Sequence, residues 1–142
     1  MILVDANILI YASSVRSAFH ERALQWLNEQ LNGTGRVGIP WACALAFIRI
    51  TTNPRIVPNT LSAVVAWGQV RDWLSCPTVW IPQPTERHAD VLGELLSLPG
   101  IGSNLVTDAH LAALAIEHGL MLCSNDGDFA RFKKLKWVNP LG

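Results

Sequence analysis

Residues 2–12, ILVDANILIYA, hold the reading that decides the fold. A short β-branched run, ILV, ends at Asp5, and a second apolar run starts just beyond Asn7. A continuous apolar segment of that length, closed by a polar residue, reads as a strand buried on both faces, as in a parallel sheet. The second run reads as a helix beginning at Ile8. Asp5 therefore leaves a buried strand at its carboxyl end, where it either caps that helix or presents a carboxylate at the edge of a sheet.

Outward from this segment, strands and helices alternate. HERALQWLNEQLN (20–32) carries apolar residues at helical spacing and stops at Gly33 and Gly35. RVGIP (36–40) is a short strand, and WACALAFIRITT (41–52) is a helix closing at the Asn53-Pro54 turn. NTLSAVVAWGQVRDWLS (59–75) is a helix, TVWI (78–81) a strand, and TERHADVLGELLSL (85–98) a helix starting at Thr85. LVTDAHLAALAIEHG (105–119) is a helix stopped by Gly119, LMLC (120–123) a strand, SNDGDF (124–129) a turn, and KWV (136–138) a last strand. Such alternation predicts an α/β fold, a three-layer α/β/α sandwich around a mostly parallel twisted sheet. The 142 residues form one expected domain, 1–142.

Half the residues are hydrophobic and 15% are charged, an ordinary globular balance. No apolar stretch reaches the ~18 residues of a membrane span, and the N-terminus has no signal-peptide pattern. Cys43, Cys76 and Cys123 are too few and too dispersed for a disulfide framework or a zinc site. Cys43 and Cys123, in apolar surroundings, are expected to be buried, inert thiols, and a reducing cytoplasm fits. The net charge is zero, yet no acid lies between Glu29 and Asp72, and Arg49 and Arg55 fall in that gap. A second basic block, Arg131, Lys133, Lys134 and Lys136, has no acid after Asp128. Two such blocks suggest a face for a polyanion. The six tryptophans read mostly as core, with Trp41 and Trp137 able to stack on a base. The four histidines carry no recognisable constellation.

The acids converge. In an open parallel sheet, ligands bind outside the carboxyl ends of the strands. Asp5 follows ILV, and Asp126 and Asp128 follow LMLC. Asp108 opens the helix that runs into LMLC, so it starts at the same edge. Each acid alone could serve a helix end or a turn. Together, mutually repelling carboxylates call for a cation. Oxygen ligands without Cys or His select Mg²⁺ or Mn²⁺, ions that activate water against a phosphodiester. Asn7 and Ser124 are placed to orient carboxylates or water.

These motifs resemble those of the PIN-domain ribonucleases, and among them the VapC toxins of bacterial toxin–antitoxin pairs. VDANILIYA is similar to the family's opening strand, TDAHLAALAIEHG to the helix carrying a later acid, and LCSNDGDFARF to the strand and turn with the last ones. FIRITTNPRI resembles a phenylalanine–arginine–threonine helix of one VapC branch. The resemblance implies a metal-dependent endoribonuclease cleaving structured RNA such as tRNA or rRNA loops. Asp5, Asp108 and Asp126 would be metal ligands and Asp128 a further ligand or water-orienting base. It also implies a VapB-type antitoxin and a homodimer. From charge alone, Arg49, Arg55, Lys133 and Lys134 are candidate RNA contacts. The family's second acid, on the helix after the second strand, has no counterpart: PWACALAFIRI offers Ala42 and Ala46 instead. The alternative is a non-catalytic or weakly active PIN-like domain that binds RNA or a protein. A haloacid-type phosphatase is disfavoured because Asn7 stands where it needs a second Asp.

Overall fold

A computed structural model describes residues 1–142. The opening run forms β1 (Ile2–Val4), in which Leu3 and Val4 are wholly buried. The chain continues through α1 (Ala6–Ser13), α2 (His20–Leu31), β2 (Val37–Gly38), α3 (Trp41–Thr51), α4 (Ala63–Leu74) and β3 (Val79–Trp80). Then come α5 (His88–Leu96), α6 (Val106–His118), β4 (Met121–Cys123) and β5 (Trp137–Val138). Short 3-10 turns at Ser103–Leu105 and Gly127–Arg131 precede α6 and follow β4.

The five strands lie in the order β3-β2-β1-β4-β5, and every pairing is parallel, not merely most of them. Leu3 pairs with Gly38 on one side and Leu122 on the other. Right-handed crossovers then put the helices leading from β1 to β2 and from β2 to β3 on one face. Those leading back from β3 to β4 lie on the other. Packing agrees: α1 contacts α2 and α3, α3 contacts α4, and α5 contacts α6. The expected three-layer sandwich is present.

Between these layers, 28 buried residues form one core, with Phe47, Phe129, Phe132, Ile8 and Leu122 among its largest fully enclosed side chains. Side chains of this kind contribute about 1.5–3 kcal/mol each when fully buried. Cys43 and Cys123 belong to the buried set as free thiols, while Cys76 is partly exposed. Burial pushes both buried thiols up, Cys123 to about 12 and Cys43 well above the usual range, the latter with help from the Asp5 charge. Both are therefore held as neutral thiols, the form that reacts slowly.

Three local expectations change. The first helix starts at Ala6 rather than Ile8, because the Asp5 carboxylate caps it, accepting from the Ala6 amide at 2.7 Å. The helix expected from Thr85 starts at His88. Thr85 instead gives its amide and hydroxyl to Glu117 Oε1, at 2.9 and 2.6 Å. The tryptophans divide: Trp73 is buried, but Trp41 and Trp67 are 39% and 40% exposed and stack on each other with centroids 6.3 Å apart.

No helix is long and apolar enough to cross a membrane. The strand order reverses direction between β1 and β4, and a crevice opens outside the carboxyl ends of strands at such a point.

Candidate metal centre

Three elements deliver acids to that crevice. Asp5 follows directly on β1, β4 runs on into Ser124, Asn125 and Asp126, and α6 brings Asp108 in its first turn. Asp128 follows in the 3-10 turn, where Asp126 Oδ1 accepts from its amide at 2.9 Å. Asp108, Asp126 and Asp128 each offer an oxygen within 4.8 Å of the others, and all three are half-buried. Asp5 stands outside this trio but close enough for its charge to act on Asp108.

Asp5 is the most constrained of the four. One oxygen caps α1; the other accepts from the Ser124 hydroxyl at 2.7 Å. Ser124 is fully buried, and its Oγ also accepts from Asn7 Nδ2 at 3.1 Å and from the Asp126 amide at 3.0 Å. Asn7 Oδ1 accepts from the Asn125 amide at 3.3 Å. Asn7 and Ser124 thus knit the end of β1 to the end of β4 and hold the Asp5 carboxylate and the Asp126 amide.

Electrostatics mark the same spot. Burial pushes the Asp108 carboxyl up to about 6, and the charges of Asp126, Asp5 and Asp128 add to the shift. Asp5 is also pushed up, chiefly by burial, although its hydrogen bonds to Ser124 and Ala6 pull the other way. The one basic group paired with this set is Arg131, whose Nε lies 3.6 Å from Asp128 Oδ1 on an exposed surface. Anionic oxygen donors with so little compensating charge fit a hard divalent cation.

The remaining candidates lie elsewhere. Ala42 and Ala46, where the resemblance looks for another acid, pack against the core from α3. Arg49 and Arg55 are exposed, on α3 and just after it. Lys133 and Lys134 line a separate cleft of about 520 Å³ with Glu94, Leu95 and Leu98, and Lys134 pairs with Glu94 at 3.3 Å. Trp137, half-buried, gives its indole N–H to the Ser124 carbonyl at 3.1 Å rather than waiting for a base.

A buried carboxylate passed over in the sequence is Glu117. Besides Thr85, it binds His88 Nδ1 at 2.5 Å, and His88 Nε2 meets His110 Nδ1 at 3.0 Å. Burial pushes Glu117 up, but the bonds from Thr85 and His88 outweigh it, and the carboxyl ends below its usual value. The network fastens α5 to α6. Its hydrogen-bonded partners lie 22–32 positions apart, so only the folded helix pair could reveal it.

Known proteins resemble this chain in sequence and in fold. The family model for the PIN domain matches residues 2–135. Ribonuclease VapC37 of Mycobacterium tuberculosis is 46% identical over 140 residues, covering 99% of this chain and 97% of that one. Ribonuclease VapC33 of the same species is 40% identical over 141 residues, 99% of each. Among solved structures, FitAcB from Neisseria gonorrhoeae superposes with a TM-score of 0.70 at 19% identity, covering 99% and 98% of the two chains. VapBC2 from Rickettsia felis, bound to a promoter DNA fragment, gives 0.68 at 21% identity and 98% coverage of each. These two show the fold.

Proposed function

This chain belongs to the PIN domain family, in its VapC branch, and from that membership we propose that it is the toxin of a toxin–antitoxin pair, one PIN domain over residues 1–142. Its activity would be metal-dependent endonucleolytic cleavage of structured RNA such as tRNA or rRNA loops. The observation that carries the reading is the trio Asp108, Asp126 and Asp128 within 4.8 Å, with the Asp108 carboxyl raised to about 6.

Asp108, Asp126 and Asp128 would hold a Mg²⁺ or Mn²⁺ ion, with Asp5 completing the set across the crevice. When bound, such an ion neutralises charge on the scissile phosphate and makes water a nucleophile at neutral pH. The chain's own part is positional. Asp5 and Asn7 fix Ser124, and Ser124 fixes the Asp126 backbone. Asp128, with its side chain 46% exposed, is open to orient the attacking water and accept its proton. Arg49 and Arg55, exposed and without an ion pair, suit the RNA backbone. Trp41, at the start of α3, offers an indole face to an unpaired base.

Two protein partners belong to the same reading: a VapB-type antitoxin and a second copy of the chain. The exposed apolar side chains Leu45, Val64 and Val65 on α3 and α4 supply surface of the kind that a partner covers. Three free cysteines suit a cytoplasmic location.

Total cellular RNA incubated with the protein and Mn²⁺, with EDTA, and with the variants Asp5→Asn and Asp126→Asn tests the reading. Discrete cuts that require both the metal and the two aspartates are expected. Because α3 lacks an acid, the rival is a PIN domain that binds without cutting. A folded protein that retains RNA and leaves it intact in Mn²⁺ would favour that rival.

A further inference from the structure

The residues leading into the turn that carries Asp126 and Asp128 are bonded to the last strand and the residue after it. Trp137 Nε1 donates to the Ser124 carbonyl at 3.1 Å, and the Ser124 amide donates to the Val138 carbonyl at 3.1 Å. One residue on, Asn139 Nδ2 donates to Asn125 Oδ1 at 2.9 Å, while Asn125 Nδ2 reaches the Tyr11 hydroxyl at 3.5 Å. Ser124 and Asn125 are therefore tied both to α1 and to residues 137–139. Asp126 hangs from Ser124 by its amide.

β5 is a two-residue strand at the edge of the sheet, too short for its ladder alone to hold it firmly. It has further anchors. Asn139 Oδ1 accepts from the Leu141 amide at 3.0 Å, Arg22 Nη1 donates to the Leu141 carbonyl at 2.7 Å, and the Leu141 side chain is buried. These bonds and the buried Leu141 fasten the end of the chain to α2 just beyond the strand.

We propose that residues 137–141 are a positioning element of the cation site, in which Trp137 and Asn139 set where Asp126 and Asp128 present their oxygens. The inference rests on the reading that these carboxylates hold a divalent cation. Neither Trp137 nor Asn139 touches a carboxylate; both act through Ser124 and Asn125. Groups that orient ligands from behind typically change metal affinity when removed, since ligand oxygens must stay within a few tenths of an ångström of a workable geometry.

Mn²⁺ binding to the full chain, followed by calorimetry and by the loss of the free-ion EPR signal, tests this without any cleavage. Trp137→Phe removes the N–H and keeps an aromatic ring; Asn139→Ala removes the amide. Each is expected to weaken Mn²⁺ binding about tenfold, at a temperature where circular dichroism shows the variant folded. In an Asn125→Ala background, Asn139→Ala should weaken binding much less, because the bond from Asn139 to the turn is already gone and only its bond to Leu141 remains. Variants that melt earlier but bind Mn²⁺ like the parent would reduce the strand to ordinary packing and overturn the proposal. A parent protein that takes up no Mn²⁺ would overturn the cation reading itself, a distinguishable result. Trp137→Phe and Asn139→Ala report independently, so failure of one to fold leaves the other decisive.

Discussion

Four side chains at the end of β1 and β4 show how much depends on single atoms. The Ser124 hydroxyl donates to Asp5 and accepts from Asn7 and Asp126. Ser124→Ala leaves an amide and an amide nitrogen without their acceptor, and the expected cost is about 1–3 kcal/mol in urea denaturation. Asp108 offers the pH test. In the metal-free protein its carboxyl titrates at about 6 against an ordinary 3.8. The folded state thus holds this proton more tightly than the unfolded one. Its contribution to stability is full below pH 4 and is lost as the pH rises through 6. Asp108→Asn removes that penalty. Discounted for a half-exposed group, the gain is about 1–2 kcal/mol at pH 7.5. Denaturation in EDTA at pH 4 and 7.5 checks it; a variant no more stable than the parent at the higher pH would refute it.

Elements position these atoms, and their ends are set by chemistry visible in the sequence. Gly119 closes α6 with φ +67°, the left-handed conformation that ends the helix just before β4. A Cβ there meets nothing within 4 Å, so the strain of Gly119→Ala is purely conformational. Its expected cost is about 1–2 kcal/mol, read as a lower melting temperature. On α3, Ala42 and Ala46 lie in the region where the family resemblance looks for another acid. Ala42→Glu is expected to raise Mn²⁺ affinity about tenfold by adding ligand charge, measured by calorimetry; unchanged affinity would separate α3 from the metal centre. The end of α6 was legible because a glycine stop is a local signal. The start of α5 was not, since Thr85 is claimed by Glu117 32 residues away.

At the scale of the whole molecule, the carboxylate crevice and the exposed arginines would meet on one nucleic acid. RNA affinity should fall steeply with salt, and Arg49→Ala and Arg55→Ala should each flatten the log K against log salt plot by about 0.7. Lys134 is a poorer candidate, being paired with Glu94 beside another cleft. Filter binding across a salt series checks the slopes; parallel lines for parent and variants would release the arginines from that role.

The alternation of apolar runs with capped helices determined the α/β fold and its parallel sheet, because strands buried on both faces and helices between them admit few other arrangements. It also located Asp5, Asp108, Asp126 and Asp128 at strand ends and a helix start, since the carboxyl edge of a parallel sheet is a topological place. Distances were for tertiary structure to decide. Only in the folded chain do Asp108, Asp126 and Asp128 come within 4.8 Å while Asp5 turns to Ser124 and Ala6. Only there does Trp137 spend its N–H on the Ser124 carbonyl. Hydrogen bonds between residues far apart in sequence have no local signature, because they depend on strand order and crossover hand rather than on neighbours along the chain.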